Sequence, residues 1–349
     1  MTNVPSRMKA LQLTGFGPAQ ETLKYTEEAE VPKLSRGTDL LVHVEAAGVN
    51  PVEAKFRAGN FPYPGSPPLV LGGDYAGIVI QKGDQVKDYE VGDAVFGSLS
   101  FPLGPQGSYA EYIVVNPGKD GVAKKPEHMS FEEAAAVGIA ATTAYQGIVD
   151  HGNLPSNGRV VVIGASGGVG TYAVQVGKAK GAYVIAICSG KNAALVASLG
   201  ADQVVDYTKP EEMDELVKNN KETVDVVFDA VGGDDYYYKL GPLLKKKGVY
   251  STAVGPVQHF GARKLSMFEY AKMILFTGIP RMLFGVHTYR FMLGASWDKF
   301  AATVQPLFAS NAVKSIVPQD QIYMLEDGAK AHEKLETHRA VGKVVLRIS

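Results

Sequence analysis

The chain has 349 residues, enough for about two domains. At 46% hydrophobic and 20% charged residues, it has the composition of a soluble globular protein that buries its own core. Its 35 Lys and Arg against 36 Asp and Glu give a net charge of −1, which excludes the broad basic footprint of a nucleic-acid-binding protein. The single cysteine, Cys188, excludes an intrachain disulfide and a four-cysteine zinc site, and points to a reducing compartment. Residues 1–13 carry no apolar secretory core, and no stretch approaches the ~18 apolar residues of a membrane span. A cytoplasmic location is expected; an organelle signal ahead of Met8 would make it mitochondrial.

In chain order, prolines and glycines crowd the first third, among them Pro51, Pro62, Pro64, Pro67, Gly72, Gly73 and Pro102. Short β-type runs at 40–44 and 109–115 lie between them, which predicts a β-rich domain with many turns. At Ser130 and Glu133 a capping box opens an Ala-rich helix over 132–148. Strands and helices then alternate: strand 159–163, helix 171–180, strand 183–187, helix 193–199, strand 204–205, helix 211–218, strand 225–228. A helix ending over 243–247 and a strand at 248–251 complete the series. Repeated βα units predict a doubly wound parallel sheet covered by helices. A last β-type run at 344–348 is expected to return to the first domain. The expected division is a β-rich domain over 1–134, a nucleotide-binding domain over 135–310, and a return segment over 311–349.

The most informative stretch is Gly164-Ala165-Ser166-Gly167-Gly168-Val169-Gly170, between the first parallel strand and the next helix. Read from Ala165 it is A-x-G-x-x-G, a variant of the dinucleotide fingerprint. Small residues let the backbone approach a pyrophosphate, and a helix N-terminus offers it N–H groups. Gly164, Ser166, Gly167, Gly168 and Val169 are therefore candidate cofactor contacts. An NAD site places an acid at the end of the second strand. Here that strand runs into Cys188-Ser189-Gly190-Lys191, with no acid between Gly170 and Asp202. Ser189 and Lys191, joined by Tyr207, suit a 2′-phosphate, so NADPH is the expected cofactor. Each hydrogen bond to a charged group is worth about 1.5–3 kcal/mol, which favours NADPH over NADH about ten- to several-hundred-fold. Lys191 read alone is also an ordinary surface lysine. Cys188 reads as an inert strand-end residue.

Six landmarks span the chain: 48–51 (GVNP), 71–77 (LGGDYAG), 91–95 (VGDAV), 143–145 (TAY), the 164–170 loop and 228–233 (FDAVGG). With a β-rich first domain, a Rossmann unit and a return strand, the chain resembles the medium-chain dehydrogenase/reductase superfamily over essentially its whole length. The resemblance implies a GroES-like catalytic domain beside a Rossmann domain. Zinc members carry Cys in the first landmark and His in the second; Asn50 and Gly73 stand there in this chain. A catalytic zinc needs about three protein ligands, and the seven histidines are scattered. The resemblance is therefore to the zinc-independent quinone oxidoreductase/enone reductase branch, expected to hold no metal. The segment 285–291 and the ending 342–345 most resemble the reticulon-interacting oxidoreductases and their fungal and plant-envelope relatives.

What this resemblance implies is hydride transfer from NADPH to quinones or α,β-unsaturated carbonyls. Asn50 and Lys55 fall on the loop that faces the nicotinamide. Lys55 is a candidate donor to the substrate oxygen, and also reads as a solvent-facing lysine. Enoyl-thioester reductases of this branch use a Tyr just beyond, where this chain has Phe61; Tyr63, two positions on, is a candidate pocket hydroxyl or a packing residue. Thr143 is implied on the nicotinamide phosphate side, Val231 and Gly232 near its ribose, and Lys343 as a further cofactor contact. A small-molecule substrate and a homodimer through the Rossmann edge strand are implied as well. An enoyl-thioester reductase and a non-catalytic NADPH-binding protein remain alternatives. Residues 263–293 are rich in Met, Phe and Tyr and carry five basic residues against Glu269. They read as a substrate lid, a dimer contact or a helix on a membrane surface. His287 within them reads as hydrogen-bonded structure.

Overall fold

The computed structural model describes residues 4–60, 66–100, 106–256 and 264–271, and from there to Ile348 all but 272–274, 276, 286 and 293. Its first third forms strands β1 (Arg7–Leu13), β2 (Leu23–Glu30), β3 (Leu40–Val49), β4 (Leu69–Val70), β5 (Asp74–Lys82), β6 (Ala94–Ser98), β7 (Tyr112–Val115) and β8 (Gly121–Lys124). The alternating units form β9 (Arg159–Ile163), β10 (Tyr183–Cys188), β11 (Gln203–Asp206), β12 (Val224–Asp229), β13 (Leu244–Thr252) and β14 (Thr288–Phe291). The ending contributes β15 (Ile322–Met324) and β16 (Val344–Arg347).

A three-stranded sheet, β2-β1-β4, and a seven-stranded sheet, ordered β15-β16-β3-β5-β6-β8 with β7 also on β3, make the β-rich part. In the latter, β16 runs antiparallel to β3, with Val344 opposite Val49. The last strand thus brings Lys343 to the end of β3, where Asn50 begins a helix.

The third sheet, of six strands, is parallel throughout, ordered β11-β10-β9-β12-β13-β14. Val160, Val161, Val162, Val226 and Val227 in its centre are fully buried, as expected for strands covered on both faces. In chain order this is the 3-2-1-4-5-6 arrangement, whose direction reverses between β9 and β12. Ligands bind at the carboxyl ends of strands at such a reversal.

Two expectations change. The Ala-rich segment is not one helix. It is Phe131–Ala135, then Gly138–Tyr145, then a π-helical turn Gln146–Asp150. The break has a physical cause. Buried Asp74 accepts the Ile139 N–H at 2.7 Å, and a side chain at Gly138 would collide with that carboxylate. The second correction is at 243–247. The helix Asp234–Leu240 ends earlier, and the lysines Lys245, Lys246 and Lys247 belong to β13. Register against β12 jumps from Leu244 to Val249, so the exposed lysines form an irregularity in a strand.

The segment near 263–293 contains helices Met267–Ala271 and Ile279–Phe284 and the edge strand β14. Around Ile279–Phe284 the polarity is inverted. Arg281 is buried, 4.1 Å from the Tyr237 ring centroid and 2.9 Å from Asp234. Phe268, Leu275, Ile279, Met282 and Leu283 are exposed. A cavity of about 1160 Å³ lies beside them, lined by Tyr237, Tyr238, Pro280, Arg281 and His287. His287 does not match the expected hydrogen-bonded role at Nδ1, which is buried with no hydrogen-bond partner among the described residues. Burial lowers its pKa, opposed by the charge of Glu222.

Candidate active site

The loop after β9 turns at Gly164 with φ +76°, and the Val231 side chain lies 2.7 Å from where a Cβ would stand. The ends of β9 and β12 therefore touch at this point. Gly167 donates to the Gly164 carbonyl at 3.0 Å and opens the helix Gly168–Ala179. The first N–H groups of such a helix have no intrahelical partner and favour an anion. The Ser166 hydroxyl accepts from Asn192 Nδ2 at 3.0 Å, and its carbonyl accepts from Gly342 N–H at 2.9 Å. Ser166 thus joins the loop to the end of β10 and to the return segment. Val169 is half-buried beside it.

The sequence reading did not assign Asp229, at the end of β12. One carboxylate oxygen accepts the Val231 and Gly232 N–H groups at 2.9 and 2.8 Å. The other accepts Tyr250 Oη at 3.1 Å and Thr252 Oγ1 at 3.3 Å. Burial pushes its pKa up and these donors oppose the shift. Asp229 holds the turn in which Gly232 has φ +84°. The available signal was an acid at the end of an apolar strand just before a Gly-Gly turn.

At the end of β10, Ser189 is half-buried, Lys191 is exposed and Tyr207 is 50% exposed. The neighbouring acid, Asp206, lies opposite Cys188 on β11. Its carboxylate accepts Thr208 N–H at 3.0 Å and Thr208 Oγ1 at 2.8 Å. These bonds and one from Gly190 N–H hold its pKa below the usual carboxylate range. The acid is turned back on its own turn. Cys188 is buried, and burial raises its thiol to about 11, which suits an inert residue.

Across the crevice, Asn50 precedes the helix Pro51–Arg57. Glu53 reaches back to accept Asn50 N–H at 2.8 Å and Gly73 N–H at 3.2 Å. Asn50 Nδ2 donates to Asp74 at 2.9 Å, and Asn50 Oδ1 accepts from Lys343 Nζ at 2.5 Å. Lys343 Nζ is 3.5 Å from Asp74. All four residues are at most 3% exposed. Lys343 reaches this cluster with its stem against Gly168: its Cδ lies 3.1 Å from where a Cβ there would stand. It presents its stem to the loop and its charged end to Asn50.

Lys55 lies on the same helix, half-buried, and burial lowers its pKa to about 8. Asn60, just beyond, was not singled out in the sequence; its Oδ1 accepts the Leu265 N–H at 2.7 Å, both residues buried. This bond fastens the start of the 264–271 segment over the Lys55 helix. Thr143 is half-buried on the helix Gly138–Tyr145, which packs on the phosphate-loop helix. Tyr63 and Phe61 lie outside the described residues. Among the described residues, no three His, Cys, Asp or Glu side chains cluster as a metal site.

Asp229→Ala frees two turn N–H groups and two buried hydroxyls. It is expected to lower stability by about 2–4 kcal/mol, read from urea denaturation, and to weaken dinucleotide binding at least tenfold. Unchanged binding with lowered stability would show that the turn does not serve the crevice.

The family description "Alcohol dehydrogenase GroES-like domain" matches residues 36–127, and "Zinc-binding dehydrogenase" matches 199–346. The chain is 31% identical to the zebrafish "NAD(P)H oxidoreductase RTN4IP1, mitochondrial", over 94% of this chain and 88% of that one. It is 32% identical to the Arabidopsis "NADPH-dependent alkenal/one oxidoreductase, chloroplastic", over 99% and 80%. It is 34% identical to the "Trans-enoyl reductase pgmF" of Aspergillus terreus, over 99% and 98%. Its fold matches an Escherichia coli quinone oxidoreductase complexed with NADPH, with a TM-score of 0.76 at 26% identity, over 97% and 100% of the two chains. With its GroES-like and Rossmann sheets and these relatives along nearly its full length, the chain belongs to the medium-chain dehydrogenase/reductase family.

Proposed function

We propose that this protein is an NADPH-dependent, zinc-independent reductase that passes hydride to quinones or α,β-unsaturated carbonyls. The observation that carries the reading is the state of the acid beside β10. Asp206 is engaged by Thr208 and Gly190, while Lys191 and Tyr207 are exposed. A ribose 2′-hydroxyl would meet an occupied carboxylate there; a 2′-phosphate would meet hydroxyls and an ammonium. The relatives named for NADPH support the same choice.

The loops at the carboxyl ends of β9, β10 and β12 would receive the cofactor. Gly164, Ser166, Gly167, Gly168 and Val169 would hold the pyrophosphate at a helix N-terminus. Val231 and Gly232 would line the nicotinamide ribose, Thr143 its phosphate side, and Ser189, Lys191 and Tyr207 the 2′-phosphate. When bound, NADPH supplies the hydride, which goes to the β-carbon of an enone. The chain must then stabilise charge on the carbonyl oxygen and move a proton. Lys55 Nζ suits that role: with a pKa of about 8 it is mostly protonated at pH 7, and it releases its proton more readily than an ordinary lysine. Asn50 is locked by Lys343, Glu53 and Asp74, and would form a fixed wall behind the nicotinamide. Tyr63 is retained as a candidate pocket hydroxyl.

A second reading, an enoyl-thioester reductase, is favoured by one observation: similarity to a trans-enoyl reductase over 98% of that protein. We also read the protein as cytoplasmic, and as a homodimer. Among the described residues β14 is the end strand of its sheet, and the exposed apolar residues at 275, 279, 282 and 283 belong to the same segment. Sedimentation equilibrium should give twice the chain mass, and the chain mass for Leu283→Asp.

Steady-state NADPH oxidation with a 2-alkenal, an ortho-quinone and a crotonyl thioester tests the chemistry. Lys55→Met is expected to slow alkenal turnover by about 10²–10³-fold, with NADPH affinity held within a few-fold. With NADPH held saturating at every pH, the wild-type alkenal rate should fall as pH rises above about 8, where Lys55 loses its proton. That limb should be absent in the variant. Quinone turnover indifferent to Lys55, without alkenal turnover, would remove Lys55 from the chemistry. Preference for the thioester would favour the second reading.

A further inference from the structure

Two carboxylates and one ammonium meet in the buried cluster between the domains. Glu53 and Asp74 are fully buried and Lys343 is 3% exposed. With both acids ionised the cluster holds a net charge of −1 away from water, and removing an uncompensated charge from water is costly. Asn50 Nδ2 bridges the acids, 2.9 Å from Asp74 and 3.4 Å from Glu53. One proton on the pair restores neutrality and leaves Lys343 balanced by the remaining carboxylate.

We propose that Glu53 and Asp74 are positioning residues that together hold one proton, and that this proton keeps Asn50 and Lys343 placed for NADPH at the phosphate loop. The connection is continuous. The Lys343 stem packs on Gly168, the first helical residue of the loop. Gly342 donates to the Ser166 carbonyl at 2.9 Å and bridges to Gly167. Lys343 Nζ is bonded to Asn50 at 2.5 Å and to the Val49 carbonyl at 3.3 Å. Loss of the proton would draw Lys343 toward a second carboxylate, and its stem would carry the shift to the loop.

Ser98 on β6 and the Ile139 N–H at the start of Gly138–Tyr145 hydrogen-bond Asp74. The Pro51–Arg57 helix brings Glu53 with Asn50 at its start, and β5 brings Asp74. The return segment brings Lys343. The segment before β7 brings Tyr109, whose phenol burial and Glu53 push up, and whose Oη is buried without a partner among the described residues. The phosphate-loop helix brings Tyr172, which feels Asp74. Lys343 is the only cation among these groups. Burial, followed by the Asp74 charge, raises Glu53 to about 8, with Lys343 opposing; burial likewise raises Asp74. Both shifts favour a proton on the pair.

The inference rests on the NADPH reading, and the test separates the two. NADPH binding is measured directly, by fluorescence and calorimetry, from pH 7 to 9.5. If affinity follows the protonated fraction, the wild-type Kd rises by roughly tenfold or more over that range. Calorimetry at pH 8.5 in buffers of different ionisation enthalpy should show proton uptake on binding. Glu53→Gln, which keeps the shape and neutral state, should bind as wild type does at pH 7 with a flat pH profile. Lys55→Met should keep the wild-type limb in binding. A wild-type Kd independent of pH, with no proton uptake, would overturn the proposal and leave NADPH binding intact. So would a limb that persists in Glu53→Gln or vanishes in Lys55→Met. No NADPH binding at pH 7 would overturn the cofactor reading and this inference with it. Should Glu53→Gln fail to fold, the wild-type profile and proton uptake decide.

Discussion

The structure depends on one buried interaction, the reach of Lys343 from the return segment to Asn50 and Asp74. Its stem lies on the first residue of the phosphate-loop helix, and its ammonium closes the buried cluster with Asn50 and Asp74. A single side chain thus ties the nucleotide loop to the helix that carries Lys55. Nature could have filled this volume with apolar residues at little cost in stability. A buried polar cluster instead fixes a direction: each partner must meet its own donor or acceptor. That is a means of setting where Asn50 stands relative to Gly168 to within a hydrogen bond.

Around that interaction the site is built from groups held in place by acids. Asp229 shapes the turn after β12, Asp206 shapes the turn after β10, and Asp74 starts the helix Gly138–Tyr145. Each carboxylate collects N–H donors, so each is occupied as an acceptor. What remains accessible at the crevice is a helix N-terminus, hydroxyls and the Lys191 ammonium. Such a surface suits an anionic dinucleotide with an extra phosphate. The aromatic group around Arg281 works in the opposite sense. It draws a cation inward and leaves apolar side chains outside, which is why that segment shows its apolar face to solvent.

Much of this was legible in the sequence. The order of strands and helices, the phosphate loop and the acid-free end of β10 are local patterns, set by periodicity and glycine placement. The broken Ala-rich helix was not legible, because its break is dictated by Asp74, more than sixty residues earlier in the chain. The lysine run at 245–247 carried helix-forming residues, but pairing of Leu244 with Val224 made it part of a strand. Asn60 acts through Leu265, and Asp229 and Glu53 add Tyr250, Thr252 and Gly73 to their local backbone partners; only the tertiary fold reveals those distant contacts. At Ile279–Phe284 the sequence does not say which side chains turn inward; Tyr237 and Asp234, remote in the chain, draw Arg281 in.

The central claim is hydride transfer from NADPH to carbon. The most direct measurement follows the label. The protein is incubated with NADPH deuterated at nicotinamide C4 and with an α,β-unsaturated ketone, and the product is read by NMR. The expected product is a saturated ketone with deuterium at the β-carbon and a solvent proton at the α-carbon. Deuterium at the carbonyl carbon, or no labelled product from any enone, would contradict it.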